Sequence, residues 1–331
     1  MIAGQAPESS LLREALIWDN HMCVPLRPQD DAFLPQLERL KPSGVDICTL
    51  NVACGEQSPA DAFAMLDSLT AWILGEPDKY HLVETAADIR WSRSASSLGV
   101  CFDIEGGTAL GGDLANVARF YDRGVRWMLL TYNRSNDLGG GCLGEDRGLT
   151  DFGRAVIEQM NETGMTVCAS HCGERTASEI MKHSAKPVIF SHSNSAEIYA
   201  HPRNISDAVV KACADKGGVV GVNGFGPFLG DNDTSIQRLA KHIEHLWKVA
   251  GEDHVGLGLD YVFDADELEE IVRNDPMTFP PDLYSSGAQM FAPWRIGDLA
   301  NHLLEAGHSD SKIKKLLGLN LVRVAEENWR D

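Results

Sequence analysis

Apolar residues recur along this chain with two different spacings. Short, β-branched runs cover Leu16–His21, Val45–Val52, Gly99–Ile104, Val125–Thr131, Thr166–Ser170, Pro187–Ser191, Gly218–Val222 and Val255–Leu259. Several are nearly continuous, as in Val188-Ile189-Phe190, the pattern of strands covered on both faces. Longer stretches between them carry apolar residues at helical spacing. Ala60–Leu74 has a broad apolar stripe, Leu149–Glu162 opens with Thr150 as N-cap, and Ala208–Lys216 stops at Gly217-Gly218. Ser235–Ala250 and Ile296–Ala306 follow the same period. Strands alternating with helices predict a parallel sheet. Eight strands within roughly 260 residues fit a closed (β/α)₈ barrel of the TIM type better than an open doubly wound sheet. No Pro/Ser/Gly-rich linker and no internal repeat interrupts the pattern, so residues 1–331 read as one barrel domain. Asp264–Pro293, with Pro276, Pro280, Pro281 and Pro293, reads as a long loop after the last strand.

Composition narrows the partners. The 331 residues are 44% hydrophobic and 23% charged, enough to bury a sizeable core without covalent staples. With 29 basic against 48 acidic residues the net charge is -19, which argues against nucleic acid and anionic membrane surfaces. Of the eight cysteines, Cys48, Cys101, Cys168 and Cys213 sit in apolar runs as small hydrophobes; Cys23, Cys54, Cys142 and Cys172 do not. Met1–Ser10 has neither a basic nor an apolar leader, no window is long and apolar enough to span a membrane, and the C-terminal residues carry no hydrophobic anchor tail. A reducing cytoplasm is the expected setting. The Asn-x-Ser/Thr sequons at Asn133, Asn161, Asn204 and Asn232 are then chance matches.

Polar residues collect where the expected strands end. These are Asp19-Asn20-His21-Met22-Cys23, Asp103-Ile104-Glu105-Gly106-Gly107, Ser170-His171-Cys172, Ser191-His192-Ser193 and Leu259-Asp260. In a barrel, catalysis occurs at the C-terminal ends of the strands. Singly, each residue has a plain explanation: a histidine there is more often structural, and an acid may cap the next helix. Together, three histidines, a cysteine and two carboxylates at one end are poorly explained by capping. Unpaired carboxylates would repel one another, and a divalent cation resolves this. Imidazole, thiolate and carboxylate together suit zinc best. Gly139-Gly140-Gly141-Cys142-Leu143-Gly144 matches the dinucleotide-binding spacing G-x-G-x-x-G. No helix opens directly after it, however, and Glu145-Asp146 would repel a pyrophosphate. An active-site loop is the better reading.

The joint pattern resembles the membrane dipeptidase (renal dipeptidase) family. The likeness rests on Asp19–Cys23, Ile104-Glu105-Gly106-Gly107, His171, and Ala185–Ser193 around His192, and it extends through Gly124–Thr131 and Gly217–Val220. The resemblance implies an amidohydrolase-like barrel with zinc, two ions or one. Glu105 would bridge the ions, His171 and His192 would hold one, and His21, Cys23 and Asp260 would hold or adjoin the other. Arg203, in His201-Pro202-Arg203-Asn204, would grip the substrate's terminal carboxylate through its planar fork; read without the family it would be a surface ion pair. A metal-bound hydroxide would attack the peptide carbonyl, and Asp260 would pass a proton to the leaving amine.

Two positions depart from the family pattern. Cys23 stands where the family has an aspartate; a thiolate binds zinc but leaves a weaker Lewis acid, and off the metal it would leave a single ion. Tyr132 stands where the family has an oxyanion-steadying histidine; a phenol can donate one hydrogen bond in its place. The implied activity is hydrolysis of small dipeptides. A related hydrolase of another small amide, a lactam or an N-acyl amino acid is the second reading, and a non-catalytic binder of small ligands is the third. The likeness also implies a possible homodimer.

Overall fold

A computed structural model describes residues 10–284 and 287–330. Its strands, in chain order, are β1 Trp18–Cys23, β2 Ile47–Cys54, β3 Tyr80–Leu82, β4 Leu98–Glu105, β5 Val125–Leu129, β6 Thr166–Cys168, β7 Val188–Phe190, β8 Val219–Val222, β9 Val255–Leu257 and β10 Tyr261–Val262. Every pairing among them is parallel, in the order β10-β1-β2-β4-β5-β6-β7-β8-β9, with β3 added beside β4. The expected last strand is divided. β9 pairs with β8, whereas β10 pairs with β1. Between them Gly258 N donates to Val222 O and Asp260 N to His21 O, so this one segment closes the circle. The fold is the expected α/β barrel.

Each expected helix forms, for the local reasons that its sequence carries. Pro59–Gly75 starts at a Ser58–Asp61 capping box, Asp151–Thr163 at Thr150, Asp207–Asp215 at Ser206 and Ile236–Ala250 at Ser235; Ile296–Glu305 lacks a side-chain cap. The stretch Asp264–Pro293 corrects the expectation of a loop. Asp264 accepts from Glu267 N and caps a helix over Ala265–Asn274, and a short turn of helix follows at Pro281–Tyr284. The prolines terminate this helix at Asp275 rather than preventing it.

The barrel interior is layered. At its floor Trp18 lies 5.7 Å from Trp127 and 5.9 Å from Trp329, ring centre to ring centre, with Ile47, Cys101, Cys168, Ile189 and Val219 around them. Above lie polar residues of the same strands: Thr49, Asn51 and Asp103, all buried. Strand alternation carries Cys101, Asp103 and Glu105 on one face. β1 needs a further device, because Trp18 and His21 are three residues apart and would face opposite ways. Its register against β2 shifts between Asp19 and Met22, and this irregularity turns His21 and Cys23 inward as well. The structure also places Cys23 within the strand rather than beyond it. Small residues bring the backbones together beside His192: an added Cβ would come within 1.8 Å of Ser191 O at Gly258, and within 2.1 Å at Gly221.

Candidate metal centre

Above the polar layer, three imidazoles converge on one carboxylate. Glu105 Oε1 lies 3.2 Å from His171 Nε2, 3.2 Å from His192 Nε2 and 3.4 Å from His21 Nε2. His21 Nε2 is also 3.5 Å from Cys23 Sγ and 3.6 Å from Asp260 Oδ1. The donors fall into two overlapping groups, His21–Glu105–His192 and His21–Cys23–Asp260, each with its ligand atoms within 4.8 Å of one another. His171 adjoins the first group, its Nε2 being 2.9 Å from that of His192. The structure thus brings His21, Cys23, Glu105, His171, His192 and Asp260 to one place.

The far side of each ring explains why these nitrogens point inward. His21 Nδ1 donates to Asp103 Oδ2 at 2.6 Å, and His171 Nδ1 to Asn133 Oδ1 at 2.7 Å. His192 Nδ1 pairs with Ser191 Oγ at 2.8 Å. Carboxylate and amide oxygens only accept, so the proton of neutral His171 sits on Nδ1 and its Nε2 lone pair faces Glu105 Oε1. A bare nitrogen and a carboxylate oxygen at 3.2 Å repel one another; a cation between them turns that contact favourable. The donor set therefore fits a metal, and its nitrogen, sulfur and oxygen atoms match zinc chemistry.

The electrostatics agree. Burial opposes a charge on His21, but Asp103 and Glu105 outweigh it and hold the imidazolium well above its ordinary pKa, and a metal ion would take the place of its Nε2 proton. Burial likewise opposes ionisation of Glu105, yet the charge of His21 and the rings of His171 and His192 hold its carboxyl well below the usual range. Burial, with Arg203 nearby, keeps His171 neutral. Burial pushes the Cys23 thiol up to about 12, against the pull of His21. Without a cation beside it this sulfur stays protonated; coordination would deprotonate it.

Backbone strain is concentrated here. His171, Asp260 and Asn133 have φ of 63°, 58° and 54°, in the left-handed region that costs a non-glycine residue about 1–3 kcal/mol. Surrounding contacts hold them: Cys142 N donates to His171 O, and Asn223 Nδ2 donates to Asp260 Oδ2 at 2.8 Å.

Of the donors, Cys23, Glu105, His171 and Asp260 line a cavity of about 320 Å³. Tyr132 lines it and stacks on His171 at 4.4 Å, while burial, then Glu105, keeps its phenol protonated. Arg203 is not a surface residue. It is 2% exposed, donates from a terminal nitrogen to His192 O, and lies 5.1 Å from the ring of the cavity-lining Phe228. It does not itself line the cavity, and its Nε has no partner among the described residues. The Gly139–Gly144 stretch forms a loop, with Gly140 N bonded to Thr176 Oγ1 and Gly141 bridged to Cys172.

Of the residues that aim the rings and Asp260, the sequence places Asp103 and Ser191 at strand ends without giving them a role, and Asn133 and Asn223 are not singled out for the site at all. For Asp103 a signal existed, since it lies two residues before Glu105 on one strand face. For Asn133 and Asn223 there was none, because their partners are remote in sequence.

A family model described as membrane dipeptidase (peptidase family M19) matches residues 7–278. The chain belongs to this family. Among curated relatives, it is 31% identical to an uncharacterized protein in the pqqA 5′ region of Klebsiella pneumoniae, over 81% of this chain and 94% of that one. It is 32% identical to an uncharacterized dipeptidase of Schizosaccharomyces pombe over 70% of this chain, but spans only 53% of that protein. Among solved structures, an amidohydrolase from Pseudomonas aeruginosa superposes with a TM-score of 0.84 at 26% identity, covering 96% of this chain and 98% of that one. A metallopeptidase from Rhodobacter sphaeroides, bound to a phosphinate mimic of the dipeptide L-Ala-D-Ala, superposes at 0.78 over 95% and 99% of the two chains; at 20% identity it carries the fold alone. Among the described residues no helix is long and apolar enough to cross a membrane.

Proposed function

We propose that this family member is a zinc-dependent dipeptidase that holds two ions within one catalytic domain. The observation that carries the reading is the convergence of Nε2 atoms from His21, His171 and His192 on Glu105 Oε1, with the opposite nitrogens of His21 and His171 committed to acceptors. Glu105 would serve both ions, His171 and His192 would hold one, and His21, Cys23 and Asp260 would hold or adjoin the other. When bound, the ions supply a Lewis acid for the scissile carbonyl and a water acidic enough to attack at neutral pH.

The chain's own groups do the rest. Asp260, steadied by Asn223 and open to the cavity, takes a proton from the attacking water and returns it to the leaving amine. Tyr132 presents its hydroxyl to the carbonyl oxygen as charge develops there. Arg203, behind the Phe228 ring and with an unpartnered Nε, is the cation assigned to a terminal carboxylate, and that ring must give way for the two to meet. The eight free cysteines support a reducing, cytoplasmic setting, and the family likeness extends the proposal to a homodimer.

Metal analysis beside a dipeptide panel tests the reading. We expect about two zinc ions per chain, dipeptide hydrolysis abolished by chelation and restored by zinc, and loss of nearly all activity in His171→Ala and His192→Ala. Normal turnover by His192→Ala would overturn it. The panel should include N-acyl amino acids and lactams, since exclusive cleavage of these would shift the substrate to another small amide.

A further inference from the structure

The cavity over the metal ligands has a wall that the proposed chemistry does not use. Phe225, Phe228, Phe279 and Tyr284 form an aromatic cluster of their own, separate from the barrel core, and Leu268 packs against it. Phe225 and Phe228 rings are 5.0 Å apart and those of Phe279 and Tyr284 5.4 Å. The helix Ala265–Asn274 completes the wall with Leu268 and Ile271, and Ile271 remains 46% exposed at the lip. No lysine or arginine lines this cavity among the described residues. Its acids are Glu105 and Asp260 at the metal ligands and Glu267 at the lip, and Glu267 is paired with Arg27. Apart from Arg203, which lies behind Phe228 and is assigned to the terminal carboxylate, the wall thus offers no counter-charge for an acidic side chain and no free carboxylate for a basic one. It does offer apolar area that a substrate can remove from water.

We infer that this wall is a side-chain subsite, and that the preferred substrates are dipeptides carrying one bulky aliphatic or aromatic side chain. The inference rests on the dipeptidase reading and adds the substrate class. Each methylene of side chain that reaches the wall contributes severalfold in binding, so a leucine or phenylalanine peptide should exceed glycylglycine in kcat/KM by at least about tenfold. Neither Leu268 nor Ile271 belongs to the proposed metal ligands or reacting groups, which makes them suitable for substitution.

The experiment compares Gly-Gly, Leu-Gly, Gly-Leu, Phe-Gly, Gly-Phe, Glu-Gly, Gly-Glu, Lys-Gly and Gly-Lys on zinc-loaded wild type, Leu268→Asp and Ile271→Asp. The expected result is a tenfold or greater preference for leucine or phenylalanine at one position in wild type. The ratio to Gly-Gly should collapse toward unity in Leu268→Asp and fall partway in Ile271→Asp, because one or two lost apolar contacts account for the preference. Wild-type preference for glycine or charged peptides, or a preference untouched by both substitutions, overturns the subsite. If no peptide is cleaved, the dipeptidase reading fails instead, and calorimetric titration of the same peptides still decides the subsite. Tighter leucine than glycine binding with a negative heat-capacity change supports it, and equal affinities overturn it.

Discussion

Replacing Asp103 by asparagine separates the aiming of a ligand from the ligand itself. Asp103 is fully buried and accepts from His21 Nδ1 at 2.6 Å, Trp127 Nε1 at 3.2 Å and Asn51 Nδ2 at 3.2 Å. Asparagine keeps one acceptor oxygen. With that oxygen turned to His21 and Trp127, its amide nitrogen meets Asn51, which can turn its own amide over. The fold then loses about 1–2 kcal/mol, the difference between a charge-assisted and a neutral hydrogen bond. The imidazole loses more than the fold does, because a neutral acceptor polarises the ring less and makes Nε2 a poorer electron donor. Removing such a partner lowers metal affinity about 10- to 100-fold, or roughly 1.4–2.7 kcal/mol. Asp103→Ala behaves differently: it leaves three buried donors unpaired, each costing about 1–3 kcal/mol, and destabilises the barrel outright. The assay is zinc competition against a chromophoric chelator on wild type and Asp103→Asn, with denaturant unfolding of both metal-free proteins in parallel. Zinc affinity equal within about threefold, in a variant of near-normal stability, would refute the reasoning, since even the weaker end of the outer-partner effect exceeds it.

Four further outcomes are expected. Arg203→Lys should raise KM about tenfold or more for dipeptides with a free carboxylate and little for their amides, because an ammonium lacks the planar fork; equal losses on both would make Arg203 structural. Cobalt-loaded wild type should show a near-ultraviolet sulfur-to-metal band that Cys23→Ser abolishes, while Cys23→Asp keeps two ions without it; an unchanged spectrum in Cys23→Ser would take the sulfur off the metal. Gly258→Ala, whose new Cβ would sit 1.8 Å from Ser191 O, should cost about 1–3 kcal/mol by overpacking and weaken zinc binding at the adjacent His192, as denaturant unfolding and chelator competition would report. His81 and His242 are held down to about 4 by burial, below the ordinary 6.5. The unfolded chain therefore binds more protons between these values, and stability should fall as pH drops from about 6.5 to 4. The slope is at most about 1.4 kcal/mol per pH unit for each histidine, less for the part-exposed His81. Unfolding midpoints that stay flat between pH 7 and pH 5 would contradict this.

Much of the barrel was legible because its causes are local. Fully covered strands need continuous apolar runs, helices start at residues such as Thr150 and Ser206 that cap them, and both signals lie within a few residues of the element they specify. The helix over Ala265–Asn274 was missed because its Asp264 cap was outweighed by the prolines that follow it. Candidate ligands at strand ends were legible for the same reason: a polar residue that closes an apolar strand stands out without knowledge of its neighbours.

What joins those residues is not local, and only the tertiary structure decided it. The irregularity between Asp19 and Met22 that brings His21 and Cys23 inside arises from pairing with β2, and no property of the strand itself announces it. The partners that aim the rings, Asp103 for His21 and Asn133 for His171, lie 82 and 38 residues away from them. Arg203 read alone is a surface cation, yet the fold buries it against Phe228 beneath the cavity. Composition and periodicity record whether a side chain prefers water or the interior. Which donor meets which acceptor depends on strand register, and register is settled only when the circle of strands closes.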